Sequence, residues 1–286
     1  MEKTVEGWLC GILGIIIFSG SMPATRTALS GFDPLFLTMA RAMLAGMIAL
    51  ILLVLFRQPR PARHDLASLF IVAAGVVVGF PLLSALALRH INAAQSQIFI
   101  GMLPLATALC GVLRGGERPR PWFWLFAGLG SSCVVVVALY HDTRLSKTGV
   151  GLMVAAILVC GLGYAEGGRL ARKLGGWQVI SWALVLALPL TILLSGVYQP
   201  PTLTHVTTRA WLGFGYVSYF SMLIGFIFWY RGLALGGITT VGQLQLFQPA
   251  LGLVASALVL HETVSPLMIL TLAGVMVCVL GARRFA

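Results

Sequence analysis

Apolar residues of this chain gather in long uninterrupted stretches, and polar residues collect in short segments between them. Each stretch runs for about 20 residues, the length at which an α-helix crosses the hydrocarbon core of a bilayer. Strands of a membrane barrel would instead alternate apolar and polar positions. The pattern therefore predicts ten transmembrane helices, at roughly 8–28, 34–56, 66–88, 92–113, 122–140, 149–169, 177–197, 210–233, 238–260 and 265–282.

Composition agrees with a chain whose solvent is lipid. Of the 286 residues, 59% are hydrophobic and 9% are charged, and the mean hydropathy is +0.97. A soluble domain carries about one quarter charged residues. Because backbone polar groups in lipid must be paired within the structure, such stretches form helices. We predict an all-α membrane protein surrounded by the lipid bilayer.

The net charge of +11 has a topological explanation. If the N-terminus is cytoplasmic, 13 of the 19 Lys and Arg residues fall on the inner side of the membrane and 5 on the outer side, with Arg41 left inside a span. This is the positive-inside distribution. It predicts a multi-pass protein of the inner (plasma) membrane with both termini in the cytoplasm. No nucleic-acid partner is needed to account for the charge.

A three-residue pattern occurs twice along the chain. A proline inside an apolar stretch is followed by a glutamate 13 residues later and by a second proline four residues after that glutamate. One offset of 145 residues relates the two copies, which are Pro104, Glu117 and Pro121, and Pro249, Glu262 and Pro266. The offset divides the ten spans into two five-helix repeats, at residues 7–141 and 149–283. Because five is odd, the second repeat must enter the membrane in the opposite sense to the first.

Loop charges agree with this inverted repeat. The loop "RQPRPAR" after the second span has three arginines, and the equivalent loop "YQPPTLTHVTT" has none. The loop "RGGERPRP" after the fourth span also has three, whereas its equivalent "HETVSP" has none. Equivalent loops therefore differ in charge as they would if they lay on opposite sides of the membrane. Inverted repeats are typical of secondary transporters, whose substrate site lies between the repeats near the membrane midplane.

These features together resemble the EamA-type drug/metabolite transporter superfamily. The resemblance rests on two five-helix halves that each end in the proline-to-glutamate stretch, followed by a helix containing "FAGLG" or "LAGVM", and on Arg41 within "LTMARAMLAG". It covers roughly residues 7–283 and implies a carrier coupled to protons or another gradient, most often an exporter of amino acids or other small metabolites. One departure is that the family's usual Trp-Gly stretch in the first helix is replaced by "IIIFSGSMPATR".

Three intramembrane prolines are candidates for helix breaks or hinges: Pro81, Pro104 and Pro249. A proline inside a helix leaves the carbonyl four residues earlier without its usual donor. In a membrane this is tolerated only against protein or a wet cavity. Two interpretations stay open, a kink that only improves packing and a broken helix that lines the transport site.

Polar side chains within the spans are candidates for binding substrate. Gln245 and Gln248 are three residues apart and share one helix face, which must look inward because amides are costly against lipid. Helix–helix hydrogen bonding is the alternative interpretation. Gln97, Tyr164 and Tyr219 are further candidates, Tyr219 because it lies deep enough to face a cavity.

Arg41 lies deep in the second span, where an arginine costs about 2.5–3.5 kcal/mol or more. Three interpretations stay open. It anchors a substrate carboxylate, pairs with carbonyl groups at a kink, or extends to the outer interface.

Three carboxylates lie in or at the ends of spans. Glu166, near the inner end of the sixth span, is either a proton-coupling group or the ion-pair partner of Arg169. Glu117 and Glu262 end their helices, where a negative charge is unfavourable to the helix dipole. We expect each to fix the tight turn into the next helix by accepting N–H groups at the start of the fifth or tenth helix.

The sequence favours a secondary transporter over an enzyme. It contains no nucleotide-binding GxxxxGK[ST] segment, and no histidine lies at span depth to activate a serine. The five cysteines lie in spans without CxxC spacing, so no metal site or cofactor is predicted. Arg41 and the glutamines suit a zwitterionic metabolite such as an amino acid, and efflux of cationic drugs is the alternative. An intramembrane enzyme, a non-transporting membrane partner and a homodimer remain further hypotheses.

Overall fold

A computed structural model describes residues 2–115, 120–140, 146–200 and 202–283. Every regular element in these ranges is helical. The α-helices are α1 Glu2–Ser19, α2 Ser21–Ala28, α3 Pro34–Leu55, α4 Leu66–Val72, α5 Phe80–Ala87, α6 Ala93–Ile100, α7 Leu103–Gly115, α8 Pro121–Tyr140, α9 Lys147–Leu174, α10 Gly176–Val197, α11 Thr208–Gly215, α12 Gly225–Gly236, α13 Ile238–Gly242, α14 Phe247–Leu260 and α15 Pro266–Arg283. Short 3₁₀ helices span Arg63–Asp65 and Gln243–Leu246, and π-helices span Ala73–Gly79 and Tyr216–Ile224.

Seven helical segments of the described residues are long and apolar enough to cross a membrane. They are Val5–Ala28, Pro34–Leu55, Arg63–Ala87, Ala93–Arg114, Lys147–Leu174, Gly176–Val197 and Thr208–Gly236. The prediction of an all-helical, membrane-embedded protein is therefore confirmed. The other three predicted spans coincide with α8, with α13 and α14, and with α15, so the number ten stays a prediction.

Several of these segments change helix type where sequence predicts a break. The helix before Pro104 ends at Ile100, and α7 begins at Leu103. The stretch before Pro249 is 3₁₀-helical over Gln243–Leu246. Because proline lacks an N–H and its ring crowds the carbonyl four residues back, interrupting the regular ladder just before it relieves both problems. Pro81 likewise follows directly on the π-helix Ala73–Gly79.

Long-range packing joins helices that are remote in sequence. α1 packs against α12, α9 packs against α4, α5 and the π-helix between them, α3 against α10, and α8 against α15. Glycines allow the closest crossings. A Cβ at Gly161 in α9 would lie 2.8 Å from backbone and Cβ atoms of Ala106 in α7. Such small-residue contacts are how membrane helices approach closely, since lipid provides no hydrophobic drive between them.

Candidate functional site

A small cavity lies among the packed helices. Its volume is about 20 Å³, roughly the room that one water molecule needs. Segments from both halves of the sequence contribute to its wall. The lining residues are Phe18, Ser21, Met22, Thr25, Arg41, Val76, Phe80, Pro81, Ser84, Tyr164, Ser221, Phe226 and Gln248. The cavity therefore combines one cation with hydroxyl, amide and aromatic groups.

Arg41 is the cation of this cavity. It lies in α3, whose start is fixed by Asp33, since the Asp33 carboxylate accepts the Leu35 N–H at 2.9 Å. The arginine is 5% exposed, which disagrees with the interpretation that it extends to the outer interface. Its Nε atom has no hydrogen-bond partner, and no carboxylate of the described residues forms an ion pair with it. A buried charge without a counter-charge is costly, so the Arg41 side chain favours a negatively charged partner at this site.

The three candidate glutamines are also buried and incompletely paired. The amide atoms of Gln97 and Gln245, and the Oε1 atom of Gln248, have no hydrogen-bond partner in the described part of the chain. Gln97 occupies the space beside Gly252 in α14, where an added Cβ would meet its amide at 2.2–2.4 Å. Buried amides in native structures are normally hydrogen-bonded. Gln248 lines the central cavity, where its Oε1 atom can meet a bound molecule, whereas Gln97 and Gln245 do not belong to the cavity lining.

Aromatic side chains form the apolar part of the wall. Tyr164 packs near Phe18, Phe226 and Trp229, with ring centroids 5.6–6.5 Å from its own. Tyr164 therefore lines the cavity as part of an aromatic cluster.

The structure corrects one candidate and adds others. Tyr219 is 38% exposed on the outer surface of the helices and does not line the cavity, contrary to the prediction. It lies in the π-helix Tyr216–Ile224, where Ser218 and Ser221 face inward instead. Ser21 and Ser221 hydrogen-bond each other across the cavity wall at 2.8 Å. Sequence reasoning missed these serines, because serine is common in membrane helices and the only available signal was their depth in the spans.

Glu166 lies in a separate cluster of charged and polar groups. Its side chain is fully buried, and its Oε1 accepts from Ser68 and from Arg169, each at 2.5 Å. Its Oε2 accepts from Arg114 Nε at 3.4 Å. The cluster therefore joins α4, α7 and α9 through one carboxylate. One helical turn further along α9, Lys173 pairs with Asp65 at 2.7 Å and extends this connection between α9 and the start of α4.

Glu262 contacts a different helix from the one expected. Its carboxylate accepts the backbone N–H groups of Ala93 at 3.1 Å and Ala94 at 2.7 Å, which begin α6, rather than those of α15. A negative charge at a helix N-terminus is favourable because it pairs with free N–H groups and with the dipole. Glu117 lies outside the described residues.

Several helices are apolar and long enough to span a bilayer, and they enclose a cavity lined by one buried arginine, one amide and hydroxyl groups. These features define a polytopic membrane protein with an internal polar site. The family comparison specifies this class further. The model of the EamA-like transporter family matches the chain twice, at residues 5–139 and 147–283. The chain belongs to this family and is a membrane transporter, as its resemblance implied.

Individual relatives agree with the family. The chain is 57% identical, over 286 residues and the full length of both proteins, to "Uncharacterized transporter YdeK" of Bacillus subtilis (strain 168). It is 23% identical over 288 residues, 96% of this chain and 95% of the relative, to a "Probable terminal-alkyne amino-acid exporter" of Streptantibioticus cattleyicolor. A solved crystal structure matches 98% of this chain and 99% of its own with a TM-score of 0.73 at 18% identity, which shows a shared fold.

Proposed function

We propose that this protein is a secondary transporter that exports a small amphipathic metabolite with a carboxylate group, such as an amino acid, by alternating access. The observation that carries the proposal is the buried guanidinium of Arg41 in the central cavity, which has no ion pair with a carboxylate of the described residues and whose Nε atom has no hydrogen-bond partner. The substrate carboxylate supplies the counter-charge, and guanidinium binds carboxylate with two parallel hydrogen bonds. Gln248 and the serines contact the polar remainder, and Phe18 and Phe226 contact the apolar part.

The lining favours a carboxylate over a bare cation. No carboxylate of the described residues lines the cavity, so a cationic drug would meet Arg41 without any compensating negative charge. Like charges in a site of low polarity repel strongly. A distant relative described as an amino-acid exporter also supports the choice. We therefore favour amino-acid export over cationic drug efflux.

The positions at which the helix type changes support two inverted repeats, which alternating access would use as its frame. An offset of 145 residues carries the π-helix Ala73–Gly79 onto residues 218–224, within the π-helix Tyr216–Ile224. It also carries the break at residues 101–102 onto 246–247, beside the 3₁₀ helix Gln243–Leu246. The double match to the family model adds to this. The ten spans, the repeats at 7–141 and 149–283, and the hinge role of Pro81, Pro104 and Pro249 belong to this proposal.

Coupling and placement complete the proposal. Both termini lie in the cytoplasm and the protein resides in the inner membrane, as the loop charges favour. The Glu166 cluster then closes the inner side by tying α9 to α4 and α7. Binding of a proton to Glu166 releases its cationic partners and allows this side to open, which couples export to the proton gradient. A homodimer is a further hypothesis.

Export from bacteria that overproduce the protein tests the substrate class. We expect resistance to the toxic amino-acid analogue 4-fluorophenylalanine and no resistance to the cationic dye ethidium. Arg41→Lys should reduce efflux of the analogue by about tenfold or more, because a hydrogen bond to a charged group contributes about 1.5–3 kcal/mol and lysine cannot reproduce the bidentate geometry.

Arg172→Lys is the matched control, since Arg172 lines neither the central cavity nor the groove beside α2 and forms no ion pair with a carboxylate of the described residues. Both variants must reach the membrane in wild-type amounts. Resistance to ethidium alone would overturn the amino-acid assignment, and unchanged efflux by Arg41→Lys would overturn the role of Arg41 as the carboxylate anchor.

A further inference from the structure

A second and much larger cavity lies outside the central site. It is a groove of about 740 Å³ between α2, α11 and the end of α14. It follows α2 along its length, from Gly20, where α1 is interrupted, to Ser30. At about 1.5 Å per residue, this corresponds to roughly 15 Å of depth. The groove therefore extends from one end of the helices well into the hydrocarbon region.

One end of the groove is positively charged. Arg26, Arg209 and His261 line it, and no acidic residue does. Arg26 donates to the backbone carbonyl of Leu88, a bond that leaves its charge uncompensated. Neither arginine forms an ion pair with a carboxylate of the described residues. The carboxylate of Glu262, which follows His261 in the chain, accepts hydrogen bonds from backbone N–H groups at the start of α6 instead. The groove thus presents two uncompensated guanidinium groups.

The remaining lining combines outward-facing apolar side chains with the hydroxyl groups of Thr27, Ser30, Thr207 and Tyr216. Leu212, Leu258 and Val259 line the groove and are 69%, 71% and 55% exposed. In a membrane-embedded helix, such side chains contact acyl chains. The apolar walls lie beside the cationic end, an arrangement that matches an amphipath whose head is negative and whose tail lies along the helices.

We propose that this groove, whose arginines lie on the predicted outer side of the membrane, is a binding site for one anionic phospholipid. The phosphodiester pairs with Arg26 and Arg209, and an acyl chain lies against Leu212, Leu258 and Val259. Two features favour a lipid over the exported metabolite. The apolar wall is open to the bilayer, and α2 separates the groove from the central cavity.

The same short helix connects the two sites. Pro23, Ala24 and Thr27 of α2 line the groove, whereas Ser21, Met22 and Thr25 line the central cavity. The helix has eight residues and is bounded by Gly20 and by the turn after Leu29. A lipid seated in the groove therefore supports α2 from its outer side and holds it against the Arg41 cavity.

Native mass spectrometry of the purified full chain tests the proposal without relying on transport. Phosphatidylglycerol or phosphatidylcholine with identical acyl chains is added to the micelles, and retained lipid is counted. We expect one phosphatidylglycerol to be retained in preference to phosphatidylcholine. Arg209→Gln should weaken this retention about fivefold, the effect expected of one basic residue near a charged membrane surface. Lys147→Gln removes an equal charge outside the groove and should leave the retention unchanged.

Three results would overturn the proposal. The first is equal retention of phosphatidylglycerol and phosphatidylcholine, and the second is an equal loss of phosphatidylglycerol retention in Arg209→Gln and Lys147→Gln. The third is displacement of phosphatidylglycerol by soluble glycerol phosphate, which would indicate a site for free phosphate. Circular dichroism and gel filtration establish that each variant is folded. If Arg209→Gln does not fold, Ala255→Trp, which fills the groove from α14, should lower phosphatidylglycerol retention in the same measurement.

Discussion

At the scale of single residues, buried polar groups divide into those that are satisfied and those that are not. The buried Glu166 accepts hydrogen bonds from three side chains, and the half-buried Glu262 accepts two from a helix N-terminus. Arg41, Gln245 and Gln248 retain unpaired atoms. Satisfied groups hold helices together, and unsatisfied ones are available to a ligand.

Replacing Glu166 by glutamine tests proton coupling. In Glu166→Gln proteoliposomes, we expect a pH gradient to no longer stimulate export, whereas flux down a substrate gradient persists, because an amide cannot bind and release the coupling proton. Asp65→Asn is the control, since Asp65 also pairs with a cation of α9. Stimulation by the pH gradient that equals that of the wild type in Glu166→Gln would contradict the coupling role.

Replacing Glu262 by glutamine tests the contact with α6. The neutral amide loses the charge at the helix N-terminus and accepts fewer N–H groups, so Glu262→Gln should cost about 1 kcal/mol of stability. This corresponds to a decrease of a few degrees in Tm. Thermal unfolding in detergent measures it, with Glu6→Gln as control, because the exposed Glu6–Arg231 pair contributes little. Equal Tm values for both variants would argue against the contact.

At the scale of elements, the helices owe their positions to small residues and to local changes of helix type. Gly161 lets α9 approach α7, and Gly163 lets it approach the π-helix Ala73–Gly79. Its counterpart, the π-helix Tyr216–Ile224, turns Ser221 toward the cavity and Tyr219 away from it. A period of 3.6 residues predicts the faces of regular helices only, which is why the position of Tyr219 was predicted wrongly.

Alanine substitution in α9 tests this close packing. The Cβ of Gly161→Ala would meet the backbone of α7 at 2.8 Å, so we expect a loss of about 1–3 kcal/mol from overpacking. Gly151→Ala in the same helix meets nothing within 4 Å and should be neutral or slightly stabilising, since alanine favours helix. The difference in Tm between the two variants measures the effect. If Gly161→Ala and Gly151→Ala have the same Tm, α9 and α7 do not approach each other as closely as described.

At the scale of the whole molecule, one end of the helix packing is closed by charged side chains and another part opens into the groove beside α2. The Glu166 cluster and the Asp65–Lys173 pair join α9 to its neighbours on the predicted inner side. The central cavity of about 20 Å³ is too small for a metabolite. Transport by the proposed mechanism therefore requires the helices around Arg41 to separate.

Reporter fusions test the proposed topology. A reporter fused after Arg114 should report the cytoplasm, and one fused after Leu260 should report the outer compartment, because equivalent loops of inverted repeats lie on opposite sides. Fusions at both termini should report the cytoplasm. Signals from the same compartment for the Arg114 and Leu260 fusions would exclude the inverted repeat.

The sequence alone determined the class of the protein and many of its inward-facing polar residues. Long apolar stretches leave the backbone no alternative to helices in lipid, and the cost of amides against lipid predicted that Gln245 and Gln248 face inward. Tertiary structure alone decided what those residues meet. It brought Glu262 to α6, Ser68 and Arg114 to Glu166, and Arg26 and Arg209 to one groove. Periodicity determines which residues share a helix face, whereas contacts between remote helices depend on packing, breaks and glycine crossings that no single stretch of sequence contains.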